Sequence, residues 1–135
     1  MTSFRVSTKA QTETVDISQE VAEAVREAGV EEGLVCVSTP HTTAAVYVNE
    51  NERGLRRDVV ALARTLLAAG EGFEHNQVDH NAEAHLMAVL MGNSVVLPVR
   101  SGRPELGTWQ RVFLLEMDGP RHRTVHVTVV PGAGD

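Results

Sequence analysis

The reading turns on WQRVFLLEMDGPRHRTVHVTVV, residues 109–130. Trp109 to Met117 and Arg123 to Val130 both read as long strands, and Asp118-Gly119-Pro120 between them fits a turn that reverses the chain. A strand-rich C-terminal third of this kind sets the expectation for everything before it.

Working outward, Ser94 to Val99 reads as another strand, followed by a turn at Ser101-Gly102-Arg103-Pro104. Asn81 can cap a helix over Ala82 to Met91, with Ala82, Leu86, Val89 and Leu90 as its apolar stripe and Gly92-Asn93 as its end. The segment Phe73 to His80 is polar and loop-like. A longer helix runs from Arg53 to Ala69, with Leu55, Val59, Leu62 and Leu66 facing inward and Gly70 and Gly72 closing it. Leu34 to Ser38 and Ala44 to Asn49 are short strands separated at Pro40.

At the start, Phe4 to Thr8 and Glu13 to Ile17 alternate apolar with polar and read as half-buried strands. Ser18 then caps a helix carrying Val21, Ala22, Val25 and Ala28, which Gly29 terminates. Pro131 to Asp135 reads as a flexible tail. Strands outnumber helices and do not alternate with them regularly. The expected fold is therefore α+β: one compact domain over residues 1–135, a mainly antiparallel sheet or sandwich with two to three helices.

Composition narrows the function. At 135 residues, 42% hydrophobic and 22% charged, the chain can bury a core without disulfides, and Cys36 is its only cysteine. Cys36 lies in an apolar run and reads as a buried small hydrophobe. A formal net charge of −6 argues against nucleic acid or an anionic membrane surface as partner. No secretory signal pattern is visible and no apolar run approaches the roughly 18–20 residues that span a bilayer, so the expected location is the cytoplasm. Between Arg100 and Arg123, five arginines face three acidic residues. That surplus can hold a phosphate or carboxylate, or lie as a solvated strand face.

Histidine placement carries the chemistry. His75, His80 and His85 fall within eleven residues, and imidazole is the commonest protein ligand for zinc-like divalent ions. Helical geometry puts His85 at the edge of its apolar stripe, one turn after Asn81, where His75 can approach from the preceding loop. Satisfied surface histidines are the alternative. His41-Thr42-Thr43 follows a buried strand directly, where a histidine and two hydroxyls can bind phosphate oxygens or simply make a turn. Glu50 is a possible ligand or base, and equally a helix-start carboxylate. Gln110 and Arg111 can donate to an anionic ligand beside Trp109, which on its own reads as core.

These segments together resemble the YjbQ family, also called UPF0047. The matching stretches are His41-Thr42-Thr43-Ala44 with Asn49-Glu50-Asn51, Asn81-Ala82-Glu83-Ala84-His85-Leu86, and Gly107-Thr108-Trp109-Gln110 with Glu116-Met117-Asp118-Gly119-Pro120. The resemblance covers nearly the whole chain in order. It implies an antiparallel α+β trimer with metal-binding pockets near subunit boundaries, and a secondary thiamine-phosphate synthase activity. That reaction joins a pyrimidine diphosphate to a thiazole phosphate and releases pyrophosphate. Carried over by motif, His41, His75 and His85 are the ligands of a divalent, zinc-like ion, and His80 has no counterpart. The chain departs from the family pattern in the short loop between His75 and Asn81 and in Met87, where a lysine is common.

The expected mechanism follows from that ligand set. The ion acts as a Lewis acid on a phosphorylated small molecule, Thr42, Thr43, Gln110 and Arg111 hold the substrate, and Glu116 or Asp118 serves as base. The alternatives are a non-catalytic metal- or metabolite-binding protein and a phosphate-ester hydrolase.

Overall fold

The computed structural model describes residues 1–68 and 72–133. Among them the chain forms strands β1 (Thr2–Ser7) and β2 (Glu13–Asp16), helix α1 (Ser18–Ala28), strands β3 (Glu32–Ser38) and β4 (Ala44–Glu50), and helix α2 (Arg53–Ala68). A 3-10 turn (Glu74–Gln77) leads into helix α3 (Ala82–Met91). Strands β5 (Ser94–Arg100), β6 (Arg103–Pro104), β7 (Gln110–Glu116) and β8 (His122–Pro131) complete it. The strands pair antiparallel in two sheets, one ordered β1-β8-β3-β5-β6 and the other β2-β7-β4. The expected α+β class with mainly antiparallel pairing is what the chain adopts.

The turn at Asp118-Gly119-Pro120 does not make a hairpin. It reverses the chain, but β7 lies in the three-stranded sheet and β8 in the five-stranded one, so the reversal carries the backbone from one sheet to the other. The N-terminal residues hold this crossing. Thr8 N–H donates to the Arg121 carbonyl at 2.9 Å, and Gly119 N–H to the Gln11 carbonyl at 3.0 Å. A Cβ at Gly119 would come within 2.4 Å of the Ala10 carbonyl oxygen, so only glycine fits there.

Strand β7 explains the layers. Val112, Phe113, Leu114 and Leu115 are all buried, a continuous apolar run that fits a strand covered on both faces. Val112 and Leu114 pack with Val46, with Val35 and Val127 of the other sheet, and with Ile17, Val21 and Val25. Leu115 and Met117 face the other way, against Ala45, Ala63, Ala84 and Met87. The small sheet is thus sandwiched between the large sheet with α1 on one side and α2 with α3 on the other. Fully burying each such aliphatic side chain stabilises by about 1.5–3 kcal/mol before entropy is counted.

Several local expectations change. Ser18 is the first helical residue of α1 rather than its cap; its backbone N–H is taken by Asp16 Oδ1 at 2.9 Å, and its hydroxyl accepts from Val112 N–H at 2.7 Å. In α2 the inner positions are Val60 and Ala63, while Leu62 and Leu66 are exposed. Arg56 decides this rotation by reaching the Thr14 carbonyl and hydroxyl and lying over the Phe113 ring at 5.4 Å. In α3 the buried residues are Ala82, Ala84 and Met87, and Leu86, Val89 and Leu90 face outward.

Cys36 is half-buried rather than sealed in the core. Residues 131 and 132, expected as the start of a flexible tail, are bonded to the sheet. Pro131 is paired with Gly33, and Gly132 N–H donates to the Glu32 carbonyl at 2.8 Å. A proline at a strand's last position forfeits one ladder donor and keeps its carbonyl. Ala69, Gly70, Gly134 and Asp135, expected as helix end and tail, lie outside the described residues.

Candidate functional site

The 3-10 turn sets His75 against the start of α3. Val78 and Asp79 both donate their N–H to the His75 carbonyl, at 2.9 and 3.0 Å, which fixes the backbone there. Asn81 stands at the N-cap of α3 but makes no capping bond. Asn76 supplies one instead, its Oδ1 accepting from Ala82 N–H at 3.1 Å. The Asn81 side chain is left to bridge two other groups. Its Oδ1 accepts from His75 Nε2 at 2.9 Å and its Nδ2 donates to Asp118 Oδ2 at 2.9 Å. His85 sits one helical turn on, and its ring meets that of His75 edge-on, centroids 4.6 Å apart and planes 77° apart.

That chain of bonds has chemical content. With Asn81 Oδ1 as acceptor, the proton of neutral His75 lies on Nε2, so Nδ1 carries the lone pair. Asp118 is held from the other side by Arg121, whose Nη2 reaches Oδ2 at 3.0 Å and whose Nε donates to the Asp118 carbonyl at 2.6 Å. An imidazole pair, an oriented amide and a carboxylate therefore stand together at the junction of α3 and the β7–β8 crossing. Beside them opens a cavity of about 280 Å³, floored by Ala63, Ala84, Met87 and Met117 and edged by Arg64, His80, Asn81 and Asp118.

Glu116 is not placed to act as a base. It is fully buried, and Arg123 Nε donates to both of its oxygens, at 2.9 and 3.1 Å, with a further bond from Arg123 Nη2. Thr8 Oγ1 donates to it at 2.7 Å, and the N–H groups of Met117 and Asp118 at 3.0 and 3.1 Å. Burial pushes its pKa up, but the bonds from Arg123, Thr8 and the Asp118 N–H outweigh that and hold the carboxyl below its ordinary value. Its work is to tie the two sheets together and to fix the backbone that presents Asp118.

The remaining expected residues lie in three places. Thr43 is buried, its hydroxyl accepting from Arg123 Nη2 at 2.8 Å, and Thr42 is exposed beside it. His41 Nε2 accepts from Thr124 N–H at 2.9 Å. Burial, then the Arg123 guanidinium, holds the His41 pKa below its ordinary value, and a neutral ring suits that acceptor role. Gln110 and Arg111 are separated from Asp118 by the whole of β7, about 20 Å at 3.3 Å per residue. Arg111 Nε is paired with Asp16 Oδ2 at 2.8 Å, and Gln110 Oε1 accepts from Gly107 N–H at 2.7 Å. These two are not part of the cluster around His75. Trp109, read on its own as core, is 71% exposed.

His75 and His85 are thus brought together, with Asp118 one amide away. Among the described residues no three His, Cys, Asp or Glu side chains form a group able to hold a metal ion. Sequence reading missed Asn81 as a site residue because its place before a helix explained it as a cap. It also missed Arg64, one turn-and-face choice away from an apolar stripe.

Fold and cluster together define an α+β protein with a histidine–amide–carboxylate site at a sheet-to-sheet crossing. The family described as UPF0047 protein YjbQ-like matches residues 2–132, and this chain belongs to it. A UPF0047 protein of Archaeoglobus fulgidus is 48% identical over 122 residues, spanning 90% of this chain and 94% of its own. The UPF0047 protein YugU of Bacillus subtilis is 31% identical, over 94% and 96%. Among solved structures, a hypothetical protein from Aeropyrum pernix K1 superposes with a TM-score of 0.93 at 45% identity, covering 97% of this chain and 98% of that one. A YbjQ-like protein of unknown function from Sulfolobus solfataricus P2 gives 0.93 at 39%, over 97% and 96%. Among the described residues, no helix is long and apolar enough to cross a membrane.

Proposed function

We propose that this protein is a cytoplasmic enzyme acting on a phosphorylated small molecule at a divalent-ion site built on His75 and His85. The reaction we assign is the joining of a pyrimidine diphosphate to a thiazole phosphate with release of pyrophosphate. The observation that carries this reading is the His75–His85 pair with its proton placement set by Asn81, a residue that also lines a cavity of about 280 Å³.

The two imidazoles are donors of the kind a borderline ion takes, and a third ligand would have to be brought to them. Two imidazoles lie edge-on, and His75 Nδ1 is left with its lone pair by the bond at Nε2. His41, named with them from the sequence, has Nε2 committed to Thr124 and would have to give up that bond to serve. A zinc-like ion bound here supplies Lewis-acid polarisation of a phosphate oxygen. Asn81 orients His75, and Asp118, its Oδ2 bonded by Asn81 and Arg121, lines the cavity and is the carboxylate we assign to take a proton there. The apolar floor of the cavity excludes water from the uncharged part of the substrate. The homotrimer expected from the sequence belongs to the same proposal.

The test pairs metal content with turnover. Purified wild type is expected to hold a divalent ion and to release pyrophosphate from the two phosphorylated precursors, while His85→Ala loses both with its fold intact. Tight substrate binding without turnover under any divalent ion would replace the enzyme with a binding protein.

A further inference from the structure

We propose that the outer face of α2 is an anion-binding arm of this site, with Arg57 and Arg64 taking the phosphate or diphosphate of a ligand whose uncharged end occupies the neighbouring cavity. The inference rests on the reading of that cavity as a substrate site and adds what holds the charge.

Charge distribution is the first observation. The whole chain is acidic, at a formal −6, yet α2 carries Arg53, Arg56, Arg57 and Arg64 against Asp58 alone. Of the five arginines between 100 and 123, four are already committed to carboxylates. Arg100, Arg111, Arg121 and Arg123 are paired with Glu105, Asp16, Asp118 and Glu116. Among the described residues, no such ion pair involves Arg57 or Arg64.

Shape is the second. An open groove of about 550 Å³ runs along α2, lined by Thr12, Thr14, Arg56, Arg57, Val60 and Arg64 together with Glu13 and Ala61. Thr12 and Arg64 also line the cavity beside Asn81, so Arg64 stands where the two hollows meet. Arg57 and Arg64 are seven residues apart, two turns on one helix face, with a rise of about 10.5 Å between them. Arg56 is tied down by Thr14, Asn51 and the Phe113 ring, which fixes the rotation of α2 and so the direction of its neighbours.

Chemistry is the third. Guanidinium groups present forked donors that match phosphate oxygens. The acid of the groove, Glu13, has Oε2 occupied by the N–H groups of Lys9 and Ala10, both at 2.6 Å. Asp118 at the cavity edge is already bonded by Asn81 and Arg121. Glu83 is the other cavity carboxylate, and it suits an amino or hydroxyl donor on the uncharged end of the ligand.

Calorimetric titration of the full chain with inorganic pyrophosphate and with phosphate tests the arm without needing turnover. Wild type is expected to bind pyrophosphate more tightly than phosphate. Arg57→Ala and Arg64→Ala are each expected to weaken pyrophosphate about tenfold or more, with unchanged circular dichroism. Arg64→Lys covers the case in which the alanine variant misfolds, and it should recover part of the affinity. Arg53→Ala, on the same helix outside the groove, should bind as wild type does. No pyrophosphate binding by wild type, equal affinity in the Arg57/Arg64 double variant, or an equal loss in Arg53→Ala would each overturn the arm. Pyrophosphate binding lost only in the Arg57 and Arg64 variants, with no turnover by wild type, keeps the arm and removes the reaction proposed above.

Discussion

Asn81 turns its amide sideways, to His75 and Asp118, rather than down its own helix. An amide cannot pass a proton along, so its role is to hold one imidazole in one tautomer. In Asn81→Ala, nitrogen NMR of the His75 ring should change from a single Nε2-protonated form to a mixture, and activity should fall about 10–100-fold. An unchanged ring spectrum would remove Asn81 from the site. The Glu116–Arg123 pair is a second residue-scale feature with a measurable cost. Arg123 is 3% exposed, so Arg123→Met strands a buried carboxylate and should destabilise by about 3–5 kcal/mol in urea unfolding.

Acid sensitivity follows from depressed pKa values, those of His41 and of the buried Glu116 among them. His41 and Glu116 are both held below their ordinary 6.5 and 4.5, so the unfolded chain binds more protons than the folded one. Stability should therefore decline as the pH falls below about 6.5 and decline again below about 4.5. His41→Gln should remove the first decline and leave the second. These networks were hidden in the sequence, because Thr43 lies 80 residues from Arg123, and the seven positions from Glu116 to Arg123 cross from one sheet to the other with nothing local to mark the two as partners. The adjacency of His75 and His85 was legible, since one turn of helix and one short loop suffice to predict it.

At the scale of elements, the strands were readable and the helix faces were not. Leu55, Val59, Leu62 and Leu66 recur at helical spacing, but Val60 and Ala63 do so too, one step round, and the Arg56 anchor selects the second set. In α3 apolar residues occur on every side, so periodicity carries no direction. Gln110 and Arg111 were placed at the site because sequence proximity to Glu116 gives no hint that an extended strand separates them. Asn76 shows a different device, capping α3 from outside so that Asn81 is released. Asn76→Ala should cost about 1 kcal/mol of stability, and it should disturb the His75 ring less than Asn81→Ala does.

At the scale of the molecule, apolar residues face outward on both sides. Leu34, Val96 and Val130 are exposed on the large sheet, and Leu62, Leu66, Val89 and Leu90 on the helices. Surfaces of this kind mark association; the homotrimer proposed above rests on the family resemblance, and a sedimentation mass of one chain would overturn it. The sandwich itself could not be read from alternation, because a strand passing to the opposite sheet has the same pattern as one that stays.

Strand β8 lies between β1 and β3. On the ribosome, the piece that completes the five-stranded sheet thus emerges after the four other strands of that sheet. Until residues 122–131 are made, both flanking strands present bare amide edges to the cell. The nascent sheet must wait for that one strand before it can close.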